Sequence, residues 1–156
     1  MTQYKGLNIL IDSHVPEAAG LSSSSAFTVC TALVMLHVYG LKIPKEKLCQ
    51  LCITSERNAG TACGGMDQTI SIMAEKNKAK LIEFNPSIKI FDVLIPDNVM
   101  LVIANSLAPS PKLATLYKRY NMRVVECRLA LIILSMKILN YDSPSKVTFK
   151  TFYELQ

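Results

Sequence analysis

The 156 residues hold no run of five like charges, no internal repeat and no low-complexity tract beyond one group of serines. The first absence excludes an acidic or basic tail. With 17 Lys and Arg against 12 Asp and Glu, the net charge of +5 is scattered and reads as solvated surface. Aromatic residues make up 7% and do not interleave with the basic ones, so no stacking platform for nucleic acid is expected. A long apolar run is also missing. Ala26–Tyr39 falls short of the roughly 18 residues a membrane span needs and holds two Thr and a His. Val124–Leu139 carries Glu126, Arg128 and Lys137. Neither is expected to enter a membrane. Met1 to Lys5 is polar, so no signal peptide is expected there.

Regular cysteine spacing is absent too. The five cysteines are odd in number, which argues against a disulfide framework and for a reducing, cytoplasmic setting. Cys49 and Cys52 share one face of an amphipathic segment. With no second ligand pair in view, they are expected to be buried thiols rather than a zinc or redox pair.

Half of the residues are hydrophobic and 19% are charged, enough for a real core. Leu7–Asp12 reads as a strand, and Ala26–Tyr39 as a central helix that Gly40 ends. Pro44–Asn58 and Met66–Ala74 read as further helices. Lys80–Phe84, Ile88–Ile95 and Val99–Ala104 read as strands, parted by Asn85-Pro86-Ser87 and Pro96-Asp97-Asn98. A loop at 106–113 is the boundary candidate, and a long helix is expected from Leu116 to Leu139. The expected domains are therefore 1–105 and 106–156.

Two segments carry chemistry. Pro16-Glu-Ala-Ala-Gly-Leu-Ser-Ser-Ser-Ser-Ala26 places a glycine and four serines between a strand and an apolar helix. Unpaired amides and the helix dipole there suit a phosphate, while the plain alternative is a helix cap. No Gly-Lys-Ser/Thr follows the glycine, so this is not a Walker A loop. Gly60-Thr-Ala-Cys-Gly-Gly-Met-Asp-Gln68 is the second. It is either a glycine turn with a helix-start acid, or a backbone against which a substrate lies with Asp67 beside it. Glu56 is a surface acid or an oxygen ligand for magnesium.

Gly20-Leu-Ser-Ser-Ser-Ser-Ala26 resembles the phosphate-binding motif of the GHMP small-molecule kinases, and Gly65-Met-Asp-Gln68 the catalytic segment of their galactokinase branch. Ser55-Glu-Arg57, Ala79-Lys-Leu-Ile-Glu-Phe84 and the stretch from Asn121 to Ala130 resemble the N-acetylgalactosamine kinase type most closely. The resemblance covers nearly all of residues 7 to 139. It implies an α+β, ribosomal-protein-like, two-layer domain of sheet and packed helices, incomplete, plus the start of a C-terminal lobe. It implies that Gly20, Leu21, Ser22, Ser23, Ser24 and Ser25 hold the ATP phosphates, and that Ser24 and Glu56 hold magnesium. Asp67 becomes the catalytic aspartate beside the sugar C1 hydroxyl, and Gly64, Gly65, Asp67 and Tyr120 contact the sugar. On sequence alone Tyr120 is an ordinary helix-face tyrosine.

Two pieces of the family pattern are missing. One is an N-terminal Gly-Arg-x-Asn-x-x-Gly-Glu-His segment, and the other is a C-terminal glycine motif. The expectation is a truncated, ATP-dependent kinase for the anomeric hydroxyl of galactose or N-acetylgalactosamine, weak or inactive alone. The alternative is a non-catalytic sugar- and ATP-binding regulatory module or an inactive fragment. Exposed edges of such a domain imply self-association.

Overall fold

The computed structural model describes residues 6–108 and 115–156. Three helices form the centre: α1 (Ser23–Val38), α2 (Lys45–Asn58) and α3 (Met66–Met73). Each packs against the other two. On α2 the buried residues are Leu48, Cys49, Cys52, Ile53 and Glu56, which is helical spacing along one face. Val29 of α1 joins Leu48 and Cys52 in the core, with Ala32, Leu36, Ile43 and Ile72 packed around them. Cys49 and Cys52 are buried free thiols, as their shared face predicts. Burial raises both of their pKa values above the ordinary thiol range.

Strands β1 (Ala79–Glu83) and β2 (Lys89–Val93) follow α3 and form an antiparallel hairpin with Leu81 opposite Phe91. Further along, a π-turn at Leu116–Tyr120 leads into α4 (Asn121–Ile138), so the long predicted helix begins with a wider turn. A short 3-10 turn at Pro144–Lys146 and helix α5 (Phe152–Leu155) close the chain. Most of the predicted loop at 106–113 lies outside the described residues.

Helices plus a small sheet make the fold α+β, but the sheet is less than expected. Among the described residues it has two strands. Leu7–Asp12 and Val99–Ala104 are not strands here; both run without a ladder partner. The reason is physical: a short apolar run marks surface to bury, whereas a strand also needs a neighbour for its N–H and C=O groups. Their side chains stay in solvent, Leu10 at 96% and Ile103 at 85% exposure. The helix predicted from Ala26 begins three residues earlier, which puts Ser23, Ser24 and Ser25 in its first turn.

Candidate phosphate and sugar site

The serine loop is wound by left-handed residues. Ala18, Gly20 and Ser22 have φ of 54°, 74° and 57°. For Ala18 and Ser22 that conformation costs roughly 1–2 kcal/mol each. Backbone of this kind turns successive N–H groups toward one point, a concavity that favours an anion. Ser22 occupies the N-cap position of α1, yet its side chain caps nothing. The plain capping role expected of these serines is therefore not what Ser22 does. Ser25 is buried, and its Oγ has no hydrogen-bond partner. Ser24, by contrast, is exposed.

The second wall of the site is the loop from α2 to α3. It starts with a Schellman turn: Gly60 N–H donates to Arg57 O at 3.0 Å, and Thr61 N–H donates to Glu56 O at 3.2 Å. Gly60 sits at φ 100°, where a side chain is strained. Further on, Arg57 Nε donates to Cys63 O at 3.0 Å, and Gln68 Nε2 reaches Cys63 Sγ at 3.6 Å. Gly64 is open, since a β-carbon there would meet nothing within 4 Å. Gly65 is the reverse: a β-carbon would stand 2.5 Å from Ile53 Cδ1, on a backbone with φ 104°. Glycine is thus demanded at 65 by packing, and at 64 only by whatever lies over it.

Asp67 stands partly exposed in the first turn of α3. Glu56 is buried at 7% exposure, and its Oε1 has no partner. An orphaned buried carboxylate oxygen is costly unless a cation or donor completes it. Tyr120 is partly buried, and its phenol pKa is raised, first by burial and then by Cys63, Asp67 and Glu56. The tyrosine therefore shares one electrostatic neighbourhood with both acids, across more than fifty residues of chain. Among the described residues no hydrogen bond or ion pair joins the serine loop to Glu56 or Asp67.

Magnesium–phosphate chemistry fits these donors. An uncapped helix start, a buried hydroxyl and a buried carboxylate oxygen all lack partners. Among the described residues no group of three or more His, Cys, Asp and Glu could hold a metal unaided. Magnesium, which keeps waters and phosphate oxygens in its shell, does not require one. A cleft of about 340 Å³ between α1 and α2, lined by Phe27, Thr31, Leu51 and Ser55, lies beside this region rather than over the serines.

Residues 1–75 match the GHMP kinases N terminal domain. Over those residues the chain is similar to the GHMP kinases. The likeness to galactokinases extends past this GHMP domain. The chain is 51% identical over 131 residues to a galactokinase of Dictyostelium discoideum, covering 84% of this chain and 26% of that protein. It is 38% identical over 152 residues to one of Schizosaccharomyces pombe, with 94% and 29% covered. A Candida albicans galactokinase is 41% identical over 139 residues, with 87% and 27% covered. The chain thus spans about a quarter of the length of these relatives. Among the described residues no helix of the GHMP domain or beyond it is long and apolar enough to cross a membrane.

Sequence reasoning missed Arg57, Gln68 and Asn121, which hold the loop. Asn121 does so from the far side of the chain. Nothing local marks such a contact, because its partners are 59 and 61 residues away.

Proposed function

We propose that the chain is the nucleotide- and sugar-binding part of a galactokinase-type enzyme, which transfers the γ-phosphoryl group of ATP to the anomeric hydroxyl of galactose or N-acetylgalactosamine. Bound ATP with magnesium supplies that phosphoryl group. The backbone of Gly20 and Leu21 and the hydroxyls and amides of Ser22 to Ser25 hold the phosphates. The Ser24 hydroxyl and the Glu56 carboxylate hold the magnesium. Asp67 accepts or orients the proton of the attacking hydroxyl. The open backbone at Gly64 and Gly65 and the phenol of Tyr120 contact the sugar.

The observation that carries this reading is the set of unpartnered polar groups at the site: the uncapped start of α1 at Ser22, the buried Ser25 Oγ and the buried Glu56 Oε1. The resemblance assigns phosphate and magnesium roles to these segments, and the charges of Asp67 and Glu56 both act on the Tyr120 phenol. The galactokinase relatives favour galactose as acceptor. The segments around Ser55–Arg57 and Asn121–Ala130 favour the N-acetylated sugar.

The same reading divides the chain into a nucleotide-binding part at 1–105 and a linker with the first helix of a second lobe at 106–156. It gives the first part the family's ribosomal-protein-like sheet and the whole a cytoplasmic place. Apolar side chains such as Leu94 and Met100, 91% and 86% exposed, would drive self-association of the isolated chain.

Titration calorimetry with Mg-ATP, followed by a coupled assay on both sugars, tests the proposal. Binding of nucleotide is expected, with weak turnover that Asp67→Asn abolishes. Equal rates for the two proteins would remove Asp67 from the mechanism. Binding without turnover would leave a ligand-binding module, and no heat at millimolar Mg-ATP would remove both readings.

A further inference from the structure

The loop that carries Gly64 toward Asp67 is secured by a side chain from another part of the chain. Asn121 Nδ2 donates to Gly60 O at 2.9 Å, and Ala62 N–H donates to Asn121 Oδ1 at 3.0 Å. The carboxamide thus takes a carbonyl and an N–H two residues apart, as the N–H and C=O of one residue do along a parallel ladder. The pairing also fixes the orientation of the amide, because the flipped form would set donor against donor.

The polar backbone groups of Gly60–Cys63 account for this role. The N–H groups of Gly60 and Thr61 are taken by the end of α2, at Arg57 and Glu56. Cys63 N–H closes a tight turn on Thr61 O at 2.7 Å, and Cys63 O accepts from Arg57. Gly60 O and Ala62 N–H have no partner in α2 or in the loop, and both are taken by Asn121. The bonds of the Gly60, Thr61 and Cys63 N–H groups and of Thr61 O and Cys63 O come from α2 or from the loop itself.

We propose that Asn121 is a positioning residue. It latches the first turn of α4 onto the Gly60–Gly64 loop, so that seating of the long helix and ordering of the sugar-facing loop are one event. The same latch places the adjacent Tyr120 beside Asp67 and Glu56, the neighbourhood in which its phenol lies. The functional part of this proposal rests on the sugar-kinase reading; the latch itself does not.

The test compares Asn121→Leu, which removes both bonds at similar volume, with Asn121→Asp, which keeps the acceptor for Ala62 N–H and loses the donor to Gly60 O. Amide hydrogen exchange is read residue by residue on the full 156-residue chain. Ala62 is expected to exchange about tenfold faster in Asn121→Leu, the scale of one or two lost hydrogen bonds. In Asn121→Asp it stays near the wild-type rate. The Cys49–Ile53 amides of α2 change in neither. A role in packing alone predicts no such difference between the two variants.

Unchanged Ala62 exchange in Asn121→Leu would overturn the latch, and so would a rise shared equally with Cys49–Ile53. If Asn121→Leu does not fold, Asn121→Asp decides the matter: retained protection of Ala62 supports the latch, and lost protection overturns it. A second arm adds galactose with Mg-ATP. Ligand is expected to slow exchange across Gly60–Gly64 in the wild type and not in Asn121→Leu. No ligand effect in the wild type sinks the sugar-kinase reading and leaves the Ala62 comparison standing. A ligand effect of equal size in both proteins sinks the positioning role.

Discussion

The helical centre and the hairpin with its flanking extended segments are held together by different forces. Among the described residues, buried apolar side chains lie in α1, α2 and the loop to α3, with Leu131 of α4 the exception. The hairpin instead carries a ring of charge. Lys78 pairs with Glu75 and Asp92 at 2.8 and 2.7 Å, and Lys80 with the same two at 2.6 and 2.5 Å. The site residues sit in or against the helical centre. The site proposed for phosphate and sugar is thus set on close-packed ground, where small changes of volume are felt.

The comparison breaks first at the core. Leu48 is 4% exposed between α1 and α3, so Leu48→Ala is expected to cost about 2–5 kcal/mol. Leu101→Ala, at a residue 73% exposed, is expected to stay within about 0.5 kcal/mol. Urea unfolding of both variants measures the contrast, and equal losses would mean that the extended segment packs in solution. Next comes the glycine pair. Gly65→Ala drives a β-carbon into Ile53 on a left-handed backbone and is expected to cost about 2–4 kcal/mol. Gly64→Ala meets open space and is expected to leave stability within about 0.5 kcal/mol while weakening sugar binding. A neutral Gly65→Ala would show that the α2–α3 loop is looser than its contacts.

Much of the helical centre was legible in the sequence. The spacing of Leu48, Cys49, Cys52 and Ile53 states which face of α2 is buried, and Gly40 and Gly60 mark where helices turn back. Asn85-Pro86-Ser87 likewise marks the hairpin turn. Two kinds of fact were not legible. Leu7–Asp12 and Val99–Ala104 have strand-like sequences, but pairing belongs to a second segment, and no pattern within six residues supplies one. The Asn121 latch and the meeting of Tyr120 with Asp67 were hidden for the same reason. Motif order proposed the site residues, yet which of them share a neighbourhood depends on how α4 docks.

Smaller effects separate the two regions by pH and salt. Glu75 and Asp92 have pKa values lowered by hydrogen bonds from Lys78 and Lys80. Their contribution is present above the unfolded carboxylate range near about 4 and is lost as pH falls through the lowered folded values. Lys78 and Lys80 have raised pKa values, with Asp92 the first cause. Theirs is present below the unfolded value of about 10.4 and is lost as pH rises through the raised one. Protection of the β1–β2 amides relative to their intrinsic exchange rates is therefore expected to fall at both extremes and in about 1 M salt, with α2 less affected. Equal salt sensitivity in the two regions would remove the distinction.

The smallest expected effect is a titration. The Tyr120 phenol is held above its ordinary pKa by burial and then by Cys63, Asp67 and Glu56. Asp67→Asn removes one negative charge from that neighbourhood, so the tyrosinate becomes easier to form and the Tyr120 pKa falls toward the ordinary value. Glu56→Gln shifts it the same way, and by less, since Glu56 is the weaker of the two causes. NMR of the Tyr120 ring resolves it from the other tyrosines. Asn121→Leu serves as the control, because an unlatched α4 carries the ring away from both acids. Asp67→Asn should then shift the titration far less in that background. A full Asp67→Asn shift there would mean that Tyr120 keeps its place without the latch.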